Sequence, residues 1–284
     1  MNARPALSTG GSQRGYLIPI GGAEEKEIHP VILRRYVELC GGNKANIVVI
    51  PTASRLADTG SLYVELFEKM GAENVDYMQL KNRKDCERPS YLSRLDEATG
   101  IFITGGNQLR LSTIVGGTPF ADKLRYLNAH GVHIAGTSAG AAVLPEHMIA
   151  GGDAGPTPTQ AGVTLTPGLG LINTVVIDQH FRERDRLGRL LTALAYNPYA
   201  CGLGIDEDTA AFIDSKGVLE VVGSGGITVV DPSDLEYSSI AEIRKGEVVS
   251  LLNVRLHILA AGARFDTITR KPFVLAELEP EEVA

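Results

Sequence analysis

The chain has no tryptophan, only 6% aromatic residues, and three cysteines in 284 positions. Cys40, Cys86 and Cys201 are widely scattered and none has a partner at CxxC spacing. An odd, dispersed set does not suit a disulfide framework. These side chains read as small buried apolar groups. No HExxH occurs either, so nothing resembles a metal site, and no metal or other cofactor is expected. Long apolar runs are also missing: none approaches the ~18 residues of a membrane span. The opening segment MNARPALSTGGSQRG lacks the apolar run of a secretory signal. The expectation is a soluble, cytoplasmic protein with no membrane partner, a short disordered leader over 1–14 and an acidic tail over 276–284.

A basic surplus is likewise absent. With 27 Lys and Arg against 34 Asp and Glu, mixed along the chain, the net charge is −7. Phosphate contacts need a basic surface, so nucleic acid is not an expected partner. A cationic substrate is compatible with that balance.

Glycine is plentiful, 32 residues against 14 prolines, as tight strand-to-helix turns would require. Short apolar runs at 16–20, 46–50, 74–80, 100–103 and 133–135 mostly end in glycine or small polar residues. Between them, segments 30–40, 60–70 and 119–129 carry apolar residues at i, i+3, i+4 spacing, the stripe of an amphipathic helix. This alternation implies βαβ units: an α/β fold with a mostly parallel sheet and helices on both faces, in one domain over 15–275. Beyond residue 150 a glycine- and proline-rich loop (151–158) precedes an apolar run at 175–177 and a helical segment at 184–196. Short strands at 210–213, 219–222, 227–230 and 248–258 read as an antiparallel extension of the same sheet.

Such sheets bind ligands at the carboxyl ends of their strands, so the chemistry is sought there. Gly136-Thr137-Ser138-Ala139-Gly140 fits G-x-S-x-G, between an apolar run and a small-residue helix start. A nucleophilic serine on so sharp a turn is strained, and bulky flanking residues would clash. His180, directly after a strand in Asp178-Gln179-His180-Phe181, is the best placed of six histidines to act as its base. The acid that would hold the imidazole tautomer stays open. Asp153, in the loop after the elbow, is the first choice, with Glu146, Asp178 and Asp206 as rivals. Ala139 N–H and an amide of Gly106 or Asn107 are the candidate oxyanion hole. Arg182, Arg186 and Arg189 would share a helix face and could clamp a carboxylate.

At these residues the chain resembles the cyanophycinase branch of the serine peptidase family that also holds the aspartyl dipeptidase peptidase E. The matching segments are Gly21-Gly22-Ala23-Glu24, Ile50-Pro51-Thr52-Ala53-Ser54, Gly105-Gly106-Asn107-Gln108, the serine elbow, Gly168-Leu169-Gly170-Leu171, Asp178-Gln179-His180-Phe181 with its arginines, and Gly204-Ile205-Asp206-Glu207. They run in the family's order. The resemblance implies a flavodoxin-like fold similar to class I glutamine amidotransferases, a homodimer, and an exopeptidase without cofactor. The implied substrate is cyanophycin, a poly-aspartate with arginine on each β-carboxyl group, cut to β-aspartyl-arginine dipeptides. The alternative is a related peptidase acting on other aspartyl or isoaspartyl peptides. By position, the resemblance makes Ser138 the nucleophile and His180 the base. It assigns Gln108, Asp178, Gln179, Arg184, Arg186 and Arg189 to the substrate pocket, with Asp178 free to pair a substrate guanidinium.

Overall fold

The structure, a computed structural model, describes residues 4–7 and 13–273. Residues 1–3 and 8–12 of the expected leader, and all of the expected acidic tail, lie outside the described residues.

The first half alternates strand and helix: β1 (Leu17–Ile20), α1 (Val31–Leu39), β2 (Asn46–Ile50), α2 (Thr59–Lys69), β3 (Asn74–Tyr77), α3 (Pro89–Asp96), β4 (Gly100–Ile103), α4 (Gln108–Val115), α5 (Pro119–Ala129), β5 (His133–Thr137) and α6 (Ala139–Ala142). A hairpin, β6 (His147–Gly152) and β7 (Val163–Pro167), leads to β8 (Val175–Gln179), α7 (Leu187–Tyr196) and β9 (Cys201–Ile205). The remainder is β10 (Thr209–Ile213), β11 (Val218–Gly223), β12 (Ile227–Asp231), β13 (Tyr237–Ser238), β14 (Leu251–Leu252), β15 (Arg255–Leu259), β16 (Arg264–Asp266) and β17 (Lys271–Phe273).

The main sheet has nine strands in the order β17-β16-β11-β10-β1-β5-β4-β2-β3. The five from β1 to β3 in that order pair in parallel, and β10, β11, β16 and β17 continue the sheet antiparallel. Strands β1, β2, β4 and β5 are almost wholly buried because both faces are covered, whereas the edge strand β3 is largely exposed. On β2, Ile47 and Val49 pack with Tyr36 of α1 and Phe67 of α2, while Val48 and Ile50 join Leu111 of α4 and Leu124 of α5 on the other face. The expected α/β fold is therefore present: a mostly parallel sheet, helices on both faces, and an antiparallel extension.

One part of that extension goes elsewhere. Segments 227–230 and 255–259 do not join the main sheet; they form a second, four-stranded sheet in the order β15-β12-β9-β8. Strands β8 and β9 pair in parallel and the other two pairs are antiparallel. Helix α7 covers this sheet through Leu190, Ala193 and Leu194 against Val176 and Val230. The consequence is positional. β8 and β9 deliver their carboxyl ends to the same edge where β1, β4 and β5 end, as the His180 N–H to Gly21 carbonyl bond (2.8 Å) and the Ser138 N–H to Ile20 carbonyl bond (2.9 Å) record.

Candidate active site

The elbow is built by steric necessity. Ser138 adopts φ 52° and ψ −111°, a region L-residues rarely visit. A Cβ on Gly136 would come within 2.3 Å of the Gly140 carbonyl oxygen, and one on Gly140 within 2.1 Å of the Ile103 carbonyl oxygen. Both glycines of the pentapeptide are therefore obligatory for backbone packing. The turn is braced from beneath. Thr137 Oγ1 donates to Glu24 Oε2 at 2.6 Å, and the Tyr63 hydroxyl donates to Glu24 Oε1. Lys26 Nζ stands 3.2 Å from that same buried carboxylate.

Ser138 Oγ lies 2.9 Å from His180 Nε2, and His180 Nδ1 lies 2.5 Å from Glu207 Oε1. This serine–imidazole–carboxylate line is the arrangement in which the carboxylate holds the tautomer that leaves Nε2 free to take a proton. His180 itself has φ 46°, so the imidazole as well as the serine sits on strained backbone. Gly22 makes room for the ring: a Cβ there would approach His180 Cε1 to 2.3 Å. Burial lowers the His180 pKa, the Glu207 contact opposes that shift, and Arg184 and Arg186 add to it. The neutral, proton-accepting form is thereby favoured.

The carboxylate beside the imidazole is none of those expected. Asp153 does not reach it; it is exposed just beyond β6, its N–H bonded to the Gly162 carbonyl at 2.9 Å. Glu146 faces Arg4, 3.9 Å away. Asp206 receives the backbone N–H groups of Arg182 and Gly226. Asp178 is buried and salt-bridged. Glu207 follows Ile205, the last residue of β9, so the strand-end rule that located His180 would have located it too.

On the side of the candidate oxyanion hole, Gly105 abuts Ser138, since a Cβ there would stand 3.4 Å from Ser138 Cβ. Ala139 opens α6, and a first-turn amide has no acceptor in its own helix. Asn107 N–H is engaged by the Ala53 carbonyl at 2.9 Å, which removes it as a donor and leaves Gly106 as the candidate from that turn. The Asn107 side chain caps α4 by accepting from Arg110 N–H at 2.9 Å.

The arginines divide. Asp178 takes Arg189 through both oxygens, with Nε at 2.6 Å from Oδ2, and has Arg186 at 3.5 Å. It is therefore satisfied inside the protein, and its expected pairing with a substrate guanidinium is not what the geometry offers. Burial, with repulsion from Arg189 next, pushes the Arg186 guanidinium down to about 10, still charged at neutral pH. Arg186 also donates to the Gln179 carbonyl, and Gln179 Oε1 lies 3.4 Å from Ser138 Oγ. Arg184 is exposed. Arg182 donates to Glu183 Oε1 at 3.2 Å. The shared helix face expected for Arg182, Arg186 and Arg189 does not form, because α7 begins only at Leu187. Gln108 donates to the Ala150 carbonyl at 3.1 Å, tying α4 to β6.

A family profile described as peptidase family S51 matches residues 17–221. A cyanophycinase of Trichormus variabilis is 43% identical over 256 residues, covering 89% of this chain and 86% of that one. A cyanophycinase of Geminocystis herdmanii is 41% identical over 261 residues, covering 91% and 96%. The crystal structure of a peptidase from an acI-B1 actinobacterium superposes with a TM-score of 0.63 at 21% identity, over 88% of this chain and 99% of that one, a likeness of fold.

Two outcomes follow from the geometry. Glu207→Gln should lower kcat by roughly 10³–10⁴-fold with little change in KM, while Asp153→Asn stays within about twofold of wild type. Steady-state kinetics of the two purified variants checks both. The base works only when neutral, so the rising limb of kcat/KM against pH should have its midpoint below the ordinary histidine value. Arg184→Ala removes a positive neighbour and should move that midpoint upward; a downward or absent shift contradicts the assignment.

Proposed function

The chain belongs to peptidase family S51, and on that footing we propose that it is a serine exopeptidase that degrades cyanophycin, with Ser138 as nucleophile, His180 as base and Glu207 as the orienting acid. The observation that carries the reading is the line from Ser138 Oγ through His180 to Glu207, set on a strained strand-to-helix turn. The 41–43% identity to cyanophycinases over most of the chain supports the substrate.

The proposed reaction is acyl transfer. As Ser138 Oγ bonds to a main-chain carbonyl carbon, His180 Nε2 takes its proton. The amides of Ala139 and Gly106 receive the oxyanion, where losing one such donor typically costs ~10²–10³ in rate. The imidazolium then protonates the departing amine and leaves an ester on Ser138. Water, deprotonated by the same imidazole, attacks the ester; the new carboxylate leaves and Oγ recovers its proton. Glu207 stabilises the imidazolium in both halves.

Recognition follows the substrate's chemistry. Each unit carries a guanidinium and a free carboxylate. Arg184, exposed and close enough to the base to shift its pKa, suits the carboxylate. Gln179 and Gln108 supply amide groups near the nucleophile and at the head of α4. Asp178 acts indirectly, holding Arg186 and Arg189 in place.

Two further parts of the proposal concern the protein in the cell. Three free, buried cysteines suit a reducing compartment, in keeping with a cytoplasmic location. No helix of the described residues is long and apolar enough to cross a membrane. A homodimer is the proposed assembly.

Incubation with cyanophycin should release β-aspartyl-arginine, identified by mass spectrometry, and Ser138→Ala should reduce release to background. Turnover of other aspartyl or isoaspartyl peptides with the polymer untouched would overturn the substrate while keeping the hydrolase.

A further inference from the structure

Next to the base lies a second cleft of about 540 Å³ that none of Ser138, His180 or Glu207 lines. Pockets that seat small ligands occupy ~300–1,000 Å³, so this one has room for a compact charged molecule. One wall is the turn that follows His180 and carries Arg182, Asp185 and Arg186. Asp206, one residue before Glu207, is a further lining residue. Thr228 of β12 and Ile258 of β15, both on the second sheet, also line it. Arg182 is two residues past His180; with successive Cα atoms 3.8 Å apart, the wall begins within ~8 Å of the base.

The lining carries both signs of charge. Asp185 is exposed, and its carboxylate has no hydrogen-bond or ion-pair partner among the described residues. Its backbone is nonetheless held at φ 47° by the Gly155 N–H, which bonds the Asp185 carbonyl at 2.6 Å, and by its own N–H on the Arg182 carbonyl. Backbone held in so sparsely populated a region, carrying an unpartnered charge into a cleft, is a reason to look for a ligand. On the same turn, Arg182 is 74% exposed, donates to Glu183 Oε1 at 3.2 Å and stands 3.9 Å from Asp206. Ile258 offers an apolar surface that is 69% exposed.

We infer that this cleft is a second recognition site for the polymer, seating one β-aspartyl-arginine unit apart from the scissile bond. This rests on the reading of the activity given above. The unit's guanidinium faces Asp185, its carboxylate faces Arg182, and the aliphatic stem of its arginine lies on Ile258. A long chain can occupy both sites at once, and engaging the first raises the effective concentration at the second. A short oligomer reaches only the catalytic site. The cleft is then a device that favours polymer over its own short products.

The test compares wild type, Asp185→Asn and Thr228→Tyr on cyanophycin and on the shortest β-aspartyl-arginine oligomer that wild type cleaves. Asparagine tolerates positive φ as aspartate does, so the first variant removes charge without disturbing the turn. The second narrows the cleft from a strand position that accepts tyrosine. The expected result is a rise in polymer KM of roughly two- to fivefold for Asp185→Asn, the size of a partly exposed ion pair. Thr228→Tyr should raise it by at least as much. Neither variant should change polymer kcat, or either constant on the oligomer. Unchanged polymer KM in both variants, or an equal loss on oligomer and polymer, would overturn the second site. Wild type that cleaves neither would instead overturn the activity on which it rests.

Discussion

The bond from Ser138 N–H to the Ile20 carbonyl anchors the strained turn on which everything else converges. A residue at φ 52° and ψ −111° persists only when its surroundings leave it no alternative. Here the surroundings are backbone: Gly136 against Gly140, Gly140 against Ile103, and the end of β1 against the turn itself. The strained backbone places Oγ at the edge of the sheet, and the buried Glu24 carboxylate braces the turn from beneath through Thr137.

The segment just after β1 joins pieces that are far apart in the chain. The Gly21 carbonyl receives His180 N–H, the Gly22 carbonyl receives Asp208 N–H, and Glu25 N–H donates to Asp208 Oδ1. Glu24 holds Thr137. Thus four of the residues 21–25 touch Thr137 beside Ser138, His180 itself, and Asp208 beside Glu207. They also join the two sheets, since β5 belongs to the first and β8 and β9 to the second. The absence of a side chain on Gly22 lets the imidazole lie over this segment at all.

Much of this was legible in the sequence, for identifiable reasons. Alternating apolar runs and amphipathic stripes locate the parallel strands and their helices, because burial on both faces leaves a local signature. The strand-end rule then finds Ser138, Gly106 and His180. Which strand pairs with which is not local, so the separate sheet formed by β8, β9, β12 and β15 was not visible, and Glu207 at the end of β9 went without a role. Nearness in sequence favours Asp153, whereas the hairpin of β6 and β7 carries it away to an exposed position. The arginine pattern misled for a related reason. Helical spacing was extended back to Arg182, but the chain makes a turn through positive φ at Asp185 before α7 starts. The satisfaction of Asp178 by Arg189 and Arg186 depends on that same turn.

The central claim is that this geometry makes Ser138 a nucleophile. Reaction with a serine-directed fluorophosphonate, followed by intact mass and peptide mapping across a pH series, tests it most directly. A single adduct on Ser138 is expected, formed at a rate that rises with pH as His180 loses its proton and that collapses in Glu207→Gln. An adduct elsewhere, no adduct, or a labelling rate indifferent to Glu207 would contradict it.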